Sequence, residues 1–189
     1  MSVLPVDLAP VVAASARWLS YAYPSPLPGA FQAALVELQA RQAVTVAAWL
    51  RYPTPMDAEL LALAGPGGTG HLDWLVGIPD DEEPAPANSW RNWVDEVSAS
   101  WAATILTDSM LAARAVDGLT RRTGVVGLPA RFRRLLEPDT QDQQAGVLLR
   151  HPDLVRPVVN LHRGSLVQLL DRESLSQYQD SSDAAVGGH

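Results

Sequence analysis

Any chemistry in this chain has to come from histidine, carboxylate, arginine and hydroxyl groups. There is no cysteine, and the basic complement of 14 residues is entirely arginine. The absence of thiols excludes disulfide frameworks, thiolate nucleophiles, zinc knuckles and iron–sulfur clusters. The absence of lysine excludes Schiff-base chemistry and the lysine of a phosphate-binding P-loop. The four histidines are His71, His151, His162 and His189. His71 and His151 each have an aspartate two residues on, Asp73 and Asp153, but neither spacing is that of a zinc site. No Gly-x-Ser-x-Gly elbow is present to seat a hydrolase serine. The sequence therefore nominates no catalytic residue, no cofactor-binding residue and no metal ligand, and the reading leans away from an enzyme.

The segment Gly65-Pro66-Gly67-Gly68-Thr69-Gly70 has the glycine spacing of a P-loop. The two positions that carry the chemistry are wrong. His71 stands where a lysine would contact phosphate, and Leu72 where a hydroxyl would hold magnesium. No helix is expected to open after it, so it reads as a flexible surface loop.

Asp108 is the most informative single residue. Helical periodicity runs from about residue 89 to 117, a rod of about 44 Å at 1.5 Å per residue. On that rod Asp108 returns to the direction of Trp90, inside a stretch, Ala102 to Ala113, with no other charge. A lone buried carboxylate is too costly to leave unpaired. Asp108 is therefore expected to be buried, with an arginine or nearby hydroxyls as partner. Thr104 lies one turn earlier, and Gln42, on the apolar stripe of another helix, could donate its amide. Trp90, Trp93 and Trp101 are expected to form a stripe on one face of the same rod, as core or as the lining of a ligand pocket.

Charge is segregated along the chain. The total is −7, yet residues 109–136 carry a net +5 while residues 80–108 carry a net −6. The positive residues are Arg114, Arg121, Arg122, Arg131, Arg133 and Arg134. They are either a recognition face, since guanidinium suits bidentate contact with carboxylate or phosphate, or already neutralised by acids of the chain, the connector Pro79–Ala87 first among them.

The elements that must position these groups read as helices almost throughout. Asp7 opens one helix to about Tyr21, and Pro28 begins another to Arg51, with Phe31, Leu35, Leu38, Val46 and Trp49 on its stripe. Thr54-Pro55-Met56-Asp57 is a helix start. Residues 71–76 fit a short strand or one helical turn. Pro129, Thr140 and Ser165 open later helices, Pro157 is expected to kink the chain and Gly164 to stop it.

The expected fold is all-α: an irregular bundle packed around the 89–117 helix, in one domain over 1–179, with a disordered tail over 180–189. The N-terminus lacks signal-peptide character and no run approaches the roughly 20 apolar residues of a membrane span. The expected setting is cytoplasmic, with no membrane partner. The favoured function is a non-enzymatic protein-interaction or regulatory module. One alternative is a nucleic-acid-associated protein using residues 114–134, and another is a small-molecule binder or enzyme built around Asp108 and the tryptophans.

Overall fold

A computed structural model describes residues 7–79 and 86–186. Its elements are all helical: α1 (Ala9–Ala22), α2 (Ala30–Arg51), α3 (Pro55–Ala64), α4 (Gly70–Val76), a 3-10 segment (Pro86–Trp93), α5 (Glu96–Thr107), α6 (Ser109–Thr123), α7 (Leu128–Arg131), α8 (Arg133–Leu136), α9 (Thr140–Ala145) and α10 (Pro152–Val186). Among the described residues there is no strand, and the fold is all-α. An isolated bridge between Gly67 and Asp95 is recorded.

Helix starts follow local chemistry. Thr54 and Asp57 form a reciprocal capping box at α3, and Asp139 with Asp142 forms another at α9, each satisfying amides that the first turn leaves without partners. Asp95 caps α5 through the Val97 amide at 3.2 Å. The core is assembled from α1, α2 and α5. Trp18, Leu19, Ala40, Ala43, Val44, Ala47, Ala102, Ala103 and Ile105 are all buried there. So many alanines bring helix axes close together. On the other side of α5 lies α10, which buries Val155, Val158, Leu166 and Leu170.

Several expectations are corrected. The 89–117 rod is three elements, broken at Val94–Asp95 and again at Asp108, whose backbone is extended (φ −128°, ψ 98°). Thr107 donates to the Ala103 carbonyl and Asp108 accepts from the Leu111 amide, local bonds to the backbone that compete with helix propagation. Trp90 and Trp93 fall in the 3-10 segment and Trp101 in α5, so they do not form one stripe. Residues 71–76 belong to α4, not to a strand, and α4 opens directly from the glycine-rich loop. Phe31 and Leu38 are exposed, not on the buried stripe of α2. Finally, α10 passes through Pro157 and Gly164 and continues into the segment expected as a tail. Its buried stripe is continuous across both residues, and packing of one apolar face outweighs the propensity cost of single breakers.

Candidate functional site

Four of the six arginines of the segment have carboxylate partners. Arg114 reaches Asp171 at 2.6 Å, and Arg134 reaches the buried Asp142 at 2.5 Å. Arg121 pairs with Asp117, and Arg122 pairs with Glu173 while donating to the Leu50 carbonyl at 3.3 Å. Two of the four carboxylates thus come from α10, and none of the four lies in the acidic connector. Residues 80–85 of that connector lie outside the described residues. Arg131 and Arg133 are exposed and have no carboxylate partner among the described residues. Arg131 stacks over the Trp49 ring at 5.2 Å.

Asp108, Thr104 and Gln42 are not brought together. Asp108 is the N-cap of α6: it accepts from the Leu111 amide at 3.1 Å and faces Arg163 at 3.2 Å. Its side chain is 28% exposed, so the expected burial is corrected, although an arginine is its partner. Ending the helix at this residue resolves the conflict that an unbroken rod would create, since a capping carboxylate stays half in water and stabilises orphan amides. Thr104 is buried and donates to the Ser100 carbonyl at 2.9 Å. Gln42 fastens the α7–α8 turn instead. Its amide donates to the Arg131 carbonyl at 3.0 Å and accepts from the Leu135 amide at 3.0 Å.

The buried carboxylates are others. Asp73 accepts from Trp18 Nε1 at 2.8 Å and from Thr69 Oγ1 at 2.6 Å, and pairs with Arg91. Asp95 accepts from Arg51 Nε at 2.5 Å, Tyr52 Oη at 2.7 Å and Ser98 Oγ at 2.9 Å. Asp142 sits with Arg134, and its carbonyl accepts from the buried Gln39 at 2.9 Å. Gln39 in turn accepts from Arg150 Nε at 2.6 Å. Burial holds the Arg150 guanidinium below its ordinary value, with Asp142 opposing. Each buried acid is thus saturated by an arginine and further donors, the arrangement a buried charge requires. These clusters join α1 to α4, α2 to α5, and α2 to α9. They hold the helices together, with each of these carboxylates engaged by an arginine.

Glu96, in the first turn of α5, ties two histidines. His71 Nδ1 lies 2.6 Å from one of its oxygens and His162 Nε2 lies 2.8 Å from the other. Burial pushes the Glu96 carboxyl up, but its bonds to His71 and His162 prevail and hold it below its ordinary value. The His71 ring stacks on Trp74. Among the described residues, no group of three or more His, Asp or Glu side chains is arranged to hold a metal ion. With both carboxylate oxygens engaged, this trio acts as a tie between α4, α5 and α10.

Two surface features of the described residues bear on binding. The first is α3. It rests on the protein through Leu61, its one buried residue. Met56, Leu60 and Leu63 lie at i, i+4 and i+7 and are 69%, 58% and 86% exposed. The second is a trough along α2. A hollow of about 170 Å³ is lined by Leu38, Arg41, Gln42, Thr45, Arg131 and Phe132. A second, about 340 Å³, shares Arg41, Thr45 and Arg131 with it and continues to Trp49, Val12 and Asp7. The α3 stripe was legible as i, i+4, i+7 spacing, but the adjoining Leu61 and alanines obscure which side is bare. The meeting of Arg131 with Trp49, 82 positions apart, leaves no local signal.

No protein-family model matches the chain, and neither a curated protein nor a solved structure matches it.

Proposed function

We propose that this chain is a non-enzymatic helical interaction module of the cytoplasm, and that α3 is the element it presents to a protein partner. The observation that carries this reading is the bare face of Met56, Leu60 and Leu63. Helices of a folded protein bury their apolar stripe, and a stripe left in water on a helix seated through Leu61 and Ala58 marks a surface used by something else. The chemistry of α3 restricts the partner. Its charged residues are Asp57 and Glu59, so the fitting surface is an apolar groove with a basic rim, taking the helix as i, i+4, i+7 anchors. The saturation of the buried carboxylates, and the neutralisation of four of the six arginines between 114 and 134, support this reading over an enzyme or a nucleic-acid binder.

The test is site-specific photocrosslinking from the exposed position 64, beside the stripe, in the source cell, with nuclease-treated and untreated samples side by side. A discrete, nuclease-insensitive protein adduct is expected. The triple variant Met56→Ser, Leu60→Ser, Leu63→Ser should abolish it while leaving the thermal midpoint nearly unchanged, because those side chains touch little of the fold. An adduct unaffected by the triple change, or present only without nuclease, would overturn the proposal.

A further inference from the structure

We infer that the trough along α2 is a binding site for an extended acidic peptide, with Arg131 and Arg41 receiving its carboxylates. This site is independent of the α3 reading. The lining residues Leu38, Arg41, Gln42, Thr45 and Trp49 follow helical spacing on one face of α2. From 38 to 49 the face is about 16 Å long at 1.5 Å per residue. That accommodates about five residues of extended chain at about 3.3 Å each. The two hollows are open and shallow enough for side chains rather than a whole helix.

Arg131 is arranged in advance for this task. Its guanidinium lies over the Trp49 ring, which fixes its plane and leaves its N–H edges available. Gln42 holds the Arg131 carbonyl, so the backbone bearing the side chain is also pinned. No carboxylate among the described residues takes its charge, in a chain whose net charge is −7. Arg41 stands in both hollows beside it and is steadied by Glu37 at 2.7 Å. A carboxylate placed between the two guanidinium groups would gain charge-assisted, bidentate contacts. The opposite end carries Asp7, whose side chain accepts from the Ala9 amide at 3.1 Å. Asp7 disfavours an acidic residue there, while Leu8 and Val12 offer apolar wall. The ligand therefore has a direction: acidic at the Arg41–Arg131 centre, apolar or basic toward Asp7.

The probe is a fluorescein-labelled pentapeptide of alternating leucine and glutamate that begins and ends on leucine, so that no acid meets Asp7. Its glutamine counterpart and a single-stranded oligonucleotide of similar length serve as comparisons. Anisotropy on the full chain should show saturable binding of the glutamate peptide only, weakening with salt. Arg131→Gln should weaken it at least about tenfold, a loss of one bidentate contact. Adding Arg41→Gln should remove it, with no loss of thermal stability. Arg156→Gln, which alters only an exposed pair with Asp153, should bind as the parent does. Resonances of the Arg131 Nε–H and the Trp49 indole should shift on titration. Equal binding of the glutamine peptide, preference for the oligonucleotide, an unaffected Arg131→Gln variant, or no saturable binding at millimolar peptide would each overturn the assignment.

Discussion

At the scale of single residues, two glycines distinguish a site that packing has closed from one it has only crowded. A Cβ at Gly146 would stand 2.9 Å from Gln39 Oε1 and 3.1 Å from the Asp142 carbonyl. Gln39 is buried and held at both ends, by Arg150 and by the Asp142 carbonyl, so it has nowhere to retreat. Gly146→Ala should therefore cost about 1–3 kcal/mol through overpacking. A Cβ at Gly118 would stand 2.6 Å from Glu173 Oε2, but its next neighbours are at 3.8 Å. The Glu173 carboxylate ends a flexible side chain and can swing out, loosening its pair with Arg122. Replacing a mid-helix glycine by alanine gains roughly 1 kcal/mol of helix propensity. Gly118→Ala should accordingly be near neutral. Urea denaturation of both variants decides the matter: equal losses would mean that Glu173 is as fixed as Gln39.

At the scale of elements, the break between α5 and α6 defines what Asp108 contributes. As a half-exposed N-cap paired with Arg163, it should tolerate Asp108→Asn almost silently, because asparagine caps as well as aspartate. Asp108→Ala should cost about 1 kcal/mol, the usual value of a lost cap. Chemical denaturation giving a loss of roughly 3–5 kcal/mol for the asparagine variant would instead indicate a buried ion pair. The helix start at Thr54 was legible because capping is local, involving residues three apart, whereas the cap of α9 is Asp139 with Asp142, one residue ahead of the expected Thr140. Periodicity also located most helices. It did not reveal the break at 108, because a run such as Ala102–Ala113 is equally helical on either side of a cap. Nor did it reveal that α10 outlasts Pro157 and Gly164, since the stabilising partner is α5, some 60 residues earlier. The arginine partners were invisible for the same reason: Arg122 and Glu173 are 51 positions apart.

At the scale of the whole molecule, stability should fall at both ends of the pH range for separate reasons. On the acid side, Glu96 has a folded pKa below its ordinary value. Such a group contributes stability above its unfolded pKa and loses it as pH falls through the lowered folded value. The tie between α4, α5 and α10 should therefore weaken below about pH 4, the ordinary carboxylate range. On the alkaline side, burial pushes the Tyr23 hydroxyl up to about 12. Burial, then the neighbouring Asp95 carboxylate, pushes Tyr52 up to about 12, with Arg51 opposing. A raised folded pKa gives the opposite sign. The native state keeps protons that the unfolded chain releases near pH 10, so stability is complete below that value and declines as pH rises toward 12. Tyr52 also donates to Asp95 at 2.7 Å, so its ionisation would place two negative charges side by side at the start of α5. A titration of phenolate absorbance, followed together with far-ultraviolet circular dichroism, should show a late step near pH 12 that coincides with loss of helix. Tyr23→Phe and Tyr52→Phe should each reduce the amplitude of that step, and together they should move alkaline unfolding to higher pH. Complete tyrosine ionisation by about pH 10.5 with the helical spectrum intact would show that neither hydroxyl is held in the core.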